Sequence, residues 1–325
     1  MTLLLTQTDL VRLLDLDEVM AAVESAFAAH ASGRIDAPPR SVVQPPGTEG
    51  VVLTMPCAVA EPPALGTKIV AVFRANAARG LPTVTSLYLL SDYETGAPLA
   101  VMDGTHLTAV RTAAGSAVAT RYLARPEART LGVFGTGVQA RFHIEAIRRV
   151  RPIERVLVAG SSPEKAQAFS QWVAQSTGLP AQPVPAGDAC GADVVATCTT
   201  SPTPVVPAGR VQDGAHVNAI GAFTPATREL PTELVTRARV YVDTRAGAFA
   251  EAGDLLIPVQ EGAFSLDAVT GEIGEVILGH APARRDDNEV TVYKSVGAAL
   301  LDAATARLAY DGALAQGIGH AFDFA

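Results

Sequence analysis

The spacing of the hydrophobic positions changes along the first third of the chain. Up to residue 35 they recur at helical intervals, which predicts a short amphipathic helix over Leu10–Leu14 and a longer one over Leu16–Ala31. From Val51 to Met102, β-rich runs alternate with proline, glycine and polar turns, which is typical of a meander of strands. Helical spacing returns over Leu107–Leu123. This order of elements predicts an α+β domain.

After residue 130 the pattern alternates between short apolar runs and helical segments. Such alternation is typical of a doubly wound α/β domain with a mainly parallel sheet. The predicted strands are Leu131–Phe134, Arg155–Ala159, Ala192–Thr197, His216–Gly221 and Val240–Asp243. A last long helix is predicted from near Lys294 to about Tyr310. We therefore assign residues 123–304 to the α/β domain, and residues 1–122 and 305–325 to the α+β domain.

A glycine-rich turn follows the first strand of the α/β domain. Gly135, Gly137 and Ala140 fill a G-x-G-x-x-A pattern between an apolar run and a helical segment. The first glycine permits a tight turn, the second lets a pyrophosphate approach the backbone, and the alanine allows close helix packing. Free N–H groups at the helix N-terminus favour phosphate. An ordinary tight turn is the alternative, but the flanking strand and helix favour a dinucleotide site.

The end of the second strand bears on the choice of dinucleotide. NAD-binding domains place an acidic residue about 20 residues after the glycines, where it binds the ribose hydroxyls. Here the strand ends at Gly160-Ser161-Ser162, with Lys165 nearby and no carboxylate at that point. We therefore predict NADPH as the cofactor, with NADH as the alternative. Ser162 could also serve only as the cap of the following helix.

Three cations of the α+β domain stand in apolar surroundings. Lys68 interrupts a β-rich run, Arg111 lies among small apolar residues at a helix start, and Arg40 follows two prolines. A buried cation is unfavourable unless an anion pairs with it. The three therefore either bind a small carboxylate, which arginine holds in a bidentate manner, or are surface cations with buried stems. The residues alone leave both alternatives open.

Composition argues against several classes of function. The 325 residues are 48% hydrophobic and 18% charged with a net charge of −8, so we expect neither nucleic acid nor membrane as a partner. No apolar run is long enough for a membrane span, and the N-terminus lacks the basic start of a signal peptide. The three cysteines show no paired spacing, which indicates a reducing cytoplasm, and the six histidines lack metal-ligand spacing. We therefore expect a cytoplasmic protein without a metal.

Short motifs spread over nearly the whole chain carry a resemblance to a known family. They are Pro38–Arg40, Met55–Pro56, Gly66–Lys68, Leu81–Thr85, Leu107–Ala114, Gly135–Ala140, Val217–Gly221, Gly274–Ile277 and Thr291–Gly297. In these segments the chain resembles the ornithine cyclodeaminase/mu-crystallin family. The resemblance implies a Rossmann-type doubly wound domain joined to an α+β domain for substrate binding. It also implies a homodimer built through residues 1 to about 122.

The resemblance further implies the site residues. It places an amino-acid carboxylate at Arg40, Lys68 and Arg111, with Thr83 nearby. We take Lys68 and Arg111 as the catalytic residues. The predicted cofactor residues are Gly135, Thr136, Gly137, Val138, Gln139, Ser161, Ser162, Lys165, Thr197, Thr199, Ile220, Lys294 and Ser295.

Two departures from the family pattern indicate which reaction to expect. Cyclodeaminases of this family carry an aspartate at the position of Phe223 and a glutamate at that of Leu53. Cyclodeamination moves several protons, for which carboxylates are suited, whereas hydride addition to a preformed cyclic iminium mainly needs an anchored substrate. We predict NAD(P)H-dependent reduction of Δ1-pyrroline-2-carboxylate to L-proline and of Δ1-piperideine-2-carboxylate to L-pipecolate, with Phe223 in the substrate site. Ornithine cyclodeaminase, alanine dehydrogenase and a non-catalytic binding protein are the alternatives.

Overall fold

The computed structural model describes residues 1–324, which form two compact units. The first unit holds residues 1–112 and the segment from Ala299 onward, and the second holds Ala113–Ala298. The domain boundaries predicted from the sequence lie after residues 122 and 304 instead. The last residue of that prediction, Ala325, lies outside the described residues.

The described residues form eleven helices and sixteen strands, with 3-10 turns at Arg74–Arg79 and Leu266–Ala268. The helices are α1 (Gln7–Leu13), α2 (Leu16–Ala31), α3 (Gly104–Leu123), α4 (Val138–Val150), α5 (Pro163–Thr177), α6 (Ala186–Ala189), α7 (Thr232–Arg237), α8 (Arg245–Glu251), α9 (Gly253–Gln260), α10 (Ile273–Ile277) and α11 (Ala299–Gln316). The strands are β1 (Thr2–Leu5), β2 (Ile35–Asp36), β3 (Ser41–Val43), β4 (Val51–Ala60), β5 (Pro63–Val72), β6 (Val84–Ser91), β7 (Pro98–Asp103), β8 (Thr130–Phe134), β9 (Arg155–Ala159), β10 (Ala181–Pro183), β11 (Val194–Thr197), β12 (His216–Ala219), β13 (Arg239–Val242), β14 (Gly271–Glu272), β15 (Thr291–Lys294) and β16 (His320–Phe322).

The first unit contains a mostly antiparallel sheet. Its order is β16-β1-β7-β6-β5-β4-β2, with β3 also paired to β4. Met55 on β4 lies opposite Lys68 on β5, which lies opposite Tyr88 on β6. Side chains of these strands alternate between a buried and a more exposed face, as successive strand residues do. Helix α11 packs against α2, β4 and β5, so the buried side chains lie beneath a helical layer.

The second unit contains an all-parallel sheet of eight strands in the order β10-β9-β8-β11-β12-β15-β13-β14. From β8, the chain proceeds outward to β9 and β10 on one side, and then to β11 and β12 on the other. The strand order therefore reverses between β8 and β11. In open parallel sheets, ligands bind outside the carboxyl ends of the strands at this switch point.

The sequence prediction for the start of the last long helix is wrong. Residues Thr291–Lys294 form β15, paired with β12 and β13, and α11 begins only at Ala299. The strand was missed because of its lysine, since a parallel strand buried on both faces normally has a continuous apolar sequence. Lys294 is fully buried, and the carboxylate of Asp254 supplies the anion that makes this burial tolerable.

Among the described residues, no helix combines the length and the hydrophobicity that a membrane span requires. Within residues 1–324, no group of three or more His, Cys, Asp or Glu side chains is placed to hold a metal ion. The three cysteines, Cys57, Cys190 and Cys198, are free thiols.

Candidate active site

A buried ion cluster lies on the inner face of the first unit's sheet. Lys68 Nζ is 2.7 Å from Oδ2 of Asp302, and Arg111 Nε donates a hydrogen bond of 2.8 Å to Oδ1 of the same carboxylate. None of the three side chains is more than 5% exposed. Asp302 therefore joins the two predicted catalytic cations into one cluster.

Local structure places each side chain of this cluster. Lys68 occupies a buried position in the alternating pattern of β5, so its side chain points to the inner face. Arg111 lies on α3, where most neighbouring buried residues are small and apolar. Asp302 lies in the first turn of α11, where the helix dipole favours a negative charge. A strand and two helices thus deliver the three charges to one place.

The charges of the cluster do not cancel, because two cations face one carboxylate. Burial and the charge of Arg111 lower the pKa of Lys68 to about 8, although Asp302 opposes this shift. Burial alone would raise the pKa of Asp302, but the charges of Arg111 and Lys68 outweigh it and hold that pKa below its ordinary value. Asp302 is therefore ionised at neutral pH, and the cluster has one positive charge in excess.

Arg111 has donor capacity left over. Its Nη1 is buried and has no hydrogen-bond partner among the described residues. Buried polar groups are nearly always hydrogen-bonded, so this orphaned nitrogen indicates a ligand acceptor. A carboxylate is the acceptor that a guanidinium group binds best. Both the charge and the free donor fit a small anionic substrate.

The other predicted substrate residues differ in their surroundings. Arg40 is half-buried just before β3, and its charge contributes to the lowered pKa of Lys68. Thr83 is half-buried just before β6, and its carbonyl accepts a hydrogen bond from the N–H of Phe73. Phe223 belongs to the second unit, where it packs partly buried against the apolar core. Arg40 thus interacts with the cluster electrostatically, whereas Phe223 lies in a separate unit.

A large cavity opens in the second unit at the carboxyl ends of β8, β9 and β11. Its volume is about 1370 Å³. Six of the predicted cofactor residues line it, namely Gly135, Thr136, Gly137, Ser161, Ser162 and Thr199. The structure therefore brings the glycine turn and the end of the second strand together at the switch point of the sheet.

The two glycines of the turn have different roles. Gly135 has a φ of +103°, and a Cβ there would lie 2.6 Å from the carbonyl oxygen of Cys198. A Cβ on Gly137 would meet no atom within 4 Å, so a side chain there would project into open space before α4. Among the described residues, no side chain caps the N-terminus of α4, which leaves its first N–H groups for an anion. The turn therefore fits a dinucleotide phosphate.

Two further predicted residues begin α4. Val138 is exposed at the first position of the helix. Gln139 is half-buried, and its Oε1 has no hydrogen-bond partner among the described residues. Neither residue lines the cavity described above.

The end of β9 carries hydroxyls and one nearby carboxylate. Ser162 caps α5, and its hydroxyl accepts a hydrogen bond of 3.3 Å from the backbone N–H of Lys165. Lys165 is exposed and does not line the cavity. Glu164 does line it, and a hydrogen bond from the Ser162 hydroxyl lowers the pKa of its carboxyl group. The sequence analysis did not single out this carboxylate.

Besides Val138, Gln139 and Lys165, four more predicted cofactor residues lie outside the cavity lining: Thr197, Ile220, Lys294 and Ser295, all buried in the second unit. Thr197 Oγ1 donates a hydrogen bond of 2.7 Å to Glu229, and Lys294 Nζ pairs with Asp254 at 2.8 Å. The hydroxyl of Ser295 donates to another buried carboxylate. The side-chain polar atoms of Thr197, Lys294 and Ser295 thus bind carboxylates of the same unit.

Sequence reasoning missed Asp302, Asp254 and Glu229, three of the carboxylates that bind the buried polar side chains of the two units. Asp302 stands in an alanine-rich helix, and Asp254 stands beside Leu255 and Leu256. A charge in an apolar run is the signal that identified Lys68 and Arg111, so the same argument applied to acidic residues would have found both Asp302 and Asp254. Glu229 follows an arginine in a loop and carries no comparable signal.

Residues 1–317 match the sequence pattern of the Ornithine cyclodeaminase/mu-crystallin family. The chain belongs to this family. The Δ1-pyrroline-2-carboxylate reductase of Bacillus cereus is 38% identical over 315 residues, which cover 96% of this chain and 97% of that protein. The resemblance seen in the sequence motifs is therefore confirmed.

Solved structures of the family are similar over the full length. The structure of Thermococcus litoralis Δ1-pyrroline-2-carboxylate reductase in complex with NADH and L-proline has a TM-score of 0.96 and 38% identity, covering 99% of this chain and 100% of that one. An archaeal alanine dehydrogenase dimer with bound NAD has a TM-score of 0.95 and 37% identity, covering 100% and 99%. The predicted fold class, a Rossmann-type domain with an α+β domain, is confirmed.

Proposed function

We propose that this family member reduces cyclic ketimines with NADH or NADPH, converting Δ1-pyrroline-2-carboxylate to L-proline and Δ1-piperideine-2-carboxylate to L-pipecolate. The observation that carries the proposal is the buried cluster of Lys68, Arg111 and Asp302, with its excess positive charge and its orphaned Arg111 nitrogen. The similarity to reductases of Bacillus cereus and Thermococcus litoralis supports it.

In this proposal the cluster anchors the carboxylate of the imine. Arg111 donates from Nη1 while its Nε stays on Asp302, and Lys68 contributes a second positive charge. The bound cofactor supplies the hydride that reduces the C=N carbon. Gly135, Gly137 and the N-terminus of α4 would hold its phosphates. Because the cyclic iminium already carries its proton, the main task of these residues is to hold and orient the substrate.

This chain lacks the carboxylates that we expect cyclodeamination to use for proton transfer. Leu53 is a buried apolar residue of β4, and Phe223 packs against the core of the second unit. Neither side chain can accept or donate a proton. Alanine dehydrogenation would use the same carboxylate anchor, and the similarity to an archaeal alanine dehydrogenase makes pyruvate with ammonia the second reaction to test.

The test is NAD(P)H oxidation by the purified protein with Δ1-pyrroline-2-carboxylate, with Δ1-piperideine-2-carboxylate, and with pyruvate plus ammonia. Ornithine is tested separately with NAD(P)⁺, and the formation of proline and ammonia is measured because cyclodeamination consumes no net cofactor. We expect turnover with the two cyclic imines and none with ornithine. Proline formation with ammonia release from ornithine would contradict the assignment. If pyruvate plus ammonia were turned over and neither cyclic imine were, the protein would be an alanine dehydrogenase instead.

We infer that the protein accepts a 2′-phosphate and uses NADPH as well as NADH. Support comes from the hydroxyls of Ser161 and Ser162, which line the cavity at the end of β9 where NAD-specific domains place a carboxylate. Glu164 also lines the cavity, and its negative charge opposes a 2′-phosphate, so NADH remains a usable cofactor.

Replacing Ser161 with aspartate should shift the cofactor preference toward NADH. The new carboxylate would repel a 2′-phosphate through like charge, and we expect the ratio of kcat/KM for NADPH over NADH to fall by about tenfold or more. Ser161→Asn has nearly the same shape without the charge, and serves as the matched control. An unmodified protein that already uses NADH far better than NADPH would disprove this account of the β9 end.

We propose that the protein is a homodimer formed through the outer face of the first unit's sheet. Ile69, Leu87 and Leu89 are 48%, 56% and 38% exposed on that face, and Ile69 lies directly opposite Leu87. Contiguous exposed apolar side chains of this kind mark interaction surfaces, and symmetric dimers are the commonest soluble oligomers. The similar archaeal alanine dehydrogenase structure is described as a dimer.

Light scattering at micromolar concentration should therefore give a dimer mass, and Leu87→Lys should shift it toward the monomer. The control Val11→Lys introduces the same charge at an exposed position of α1 and should leave the mass unchanged. A monomeric mass for the unmodified protein would rule the interface out.

We also propose a cytoplasmic location. Support comes from the three free thiols, since unpaired cysteines are usual in reducing compartments. Fractionation of the native host would test this directly.

A further inference from the structure

Glu229 is a buried carboxylate that joins the ends of two neighbouring strands in the second unit. It lies in the loop between β12 and α7 and is fully buried. Its Oε1 accepts a hydrogen bond of 2.7 Å from the N–H of Thr199, which lies just after β11. Its Oε2 accepts one of 2.6 Å from the N–H of Gly221, just after β12, and one of 2.7 Å from the hydroxyl of Thr197. One side chain thus connects the two loops that leave β11 and β12.

A second carboxylate fixes the position of Glu229. Asp254 on α9 accepts hydrogen bonds of 2.7 and 2.8 Å from the N–H groups of Glu229 and Leu230. The other oxygen of Asp254 pairs with Lys294 at 2.8 Å, and Lys294 donates a hydrogen bond of 2.5 Å to the carbonyl of Ala222. The network therefore also reaches β15 and holds the segment around Gly221 from two sides.

The contact between the two loops depends on this arrangement. A Cβ on Gly221 would lie 2.1 Å from the carbonyl oxygen of Thr199 and 2.6 Å from Oε1 of Glu229. Only glycine lets the backbone at residue 221 approach Thr199 and Glu229 so closely. The Glu229 carboxylate therefore holds the backbone of this loop directly.

The position of these loops relative to the dinucleotide follows from the sheet order. The phosphates bind after the first strand of such a domain and the adenosine ribose after the second, which here are β8 and β9. The nicotinamide half must then lie over the other side of the switch point, at the ends of β11, β12 and β15. Thr199 already lines the cavity.

We propose that Glu229 is a positioning residue for the nicotinamide half of the cofactor, acting through the backbones of Thr199 and Gly221. This inference rests on the proposed function only in taking the ligand to be a nicotinamide dinucleotide. All three groups that contact the Glu229 carboxylate are donors, so the ionised side chain matches them and a neutral amide does not. In Glu229→Gln the amide NH₂ would face at least one N–H or O–H donor, and the loops would separate.

The test compares binding of NADH with binding of ADP-ribose, which lacks the nicotinamide ring. For Glu229→Gln we expect the Kd of NADH to rise by about tenfold or more, while the Kd of ADP-ribose stays within about twofold of the unmodified protein. Both are measured on the full chain by calorimetry without imine, and circular dichroism establishes that the variant is folded. Glu233→Gln, which removes an exposed carboxylate from α7, is the matched control and should change neither constant.

A general loss of structure would weaken the binding of NADH and of ADP-ribose equally, and that result would overturn the proposal. Unchanged NADH binding would overturn it as well. Should Glu229→Gln not fold, Lys294→Met tests the same network from the side of Ala222, with the same selective loss of NADH binding expected. If the unmodified protein binds NADH in a Glu229-dependent way but reduces no imine, the proposed reaction fails and the positioning role stands.

Discussion

Replacing Arg111 with alanine should lower kcat/KM for Δ1-pyrroline-2-carboxylate by about 30- to 5,000-fold, which corresponds to about 2–5 kcal/mol of transition-state binding. Arg111 is buried, and its Nη1 is the orphaned donor proposed to hold the substrate carboxylate. A charge-assisted pair in a desolvated site is worth far more than an exposed one, which places the effect in this range. The measurement is the initial rate of NADPH or NADH oxidation at varied imine concentration.

The fold should survive this change, because Asp302 keeps its ion pair with Lys68 at 2.7 Å. The control variant Arg12→Ala removes an exposed arginine from α1 in the same unit and should leave the kinetics unaltered. Imine reduction that does not respond to the loss of Arg111 would overturn its role as the carboxylate anchor.

Replacing Asp302 with asparagine should lower the free energy of unfolding by about 3 kcal/mol. Removing one partner from a buried ion pair typically costs about 3–5 kcal/mol, because the remaining charge is left uncompensated. Here two cations lose their shared anion. We expect the lower end of that range because Lys68, with a pKa already lowered to about 8, can give up its proton. Urea denaturation of both proteins at pH 7 measures the difference.

The matched control for Asp302 lies on the same helix. Asp311 pairs with Arg307 at 2.9 Å, but both side chains are substantially exposed, so Asp311→Asn should cost only about 0.3–0.5 kcal/mol. Because the pKa of Asp302 lies below its ordinary value, its contribution to stability is present at neutral pH and is lost as the pH falls. The difference between Asp302→Asn and the unmodified protein should therefore shrink below about pH 4. Equal losses of unfolding free energy in Asp302→Asn and Asp311→Asn would show that the cluster does not stabilise the first unit.

Local patterns predicted most elements of the fold. The helix over Leu16–Ala31 and the strand Arg155–Ala159 have the predicted bounds, because their signals are periodic and their ends carry capping or turn residues. The strand Thr291–Lys294 was not predicted, because the last helix was expected to begin near Lys294. Its buried lysine is compatible with a central strand only because of Asp254, which lies 40 positions earlier in the chain.

In the candidate site, too, some features were predictable from the sequence and others were not. The glycine turn was predictable because its strand, loop and helix are contiguous, and each position has a steric role within the motif. The cations Lys68 and Arg111 were identified as charges in apolar runs, but the residues alone left open whether they were buried or exposed. Asp302 resolves this, since both cations point inward to its carboxylate.

By itself, the sequence determined many of the segments that form strands and helices, and the position of the glycine-rich turn between a strand and a helix. The resemblance to the family added the expectation that Leu53 and Phe223 stand where cyclodeaminases carry carboxylates. Only the tertiary structure decided the partners of the buried charges. Arg111 and Asp302 are 191 residues apart, and Thr197 and Glu229 are 32 apart. The physical reason is that periodicity records which face of an element is buried, whereas the partner of a buried charge depends on which distant element packs on that face.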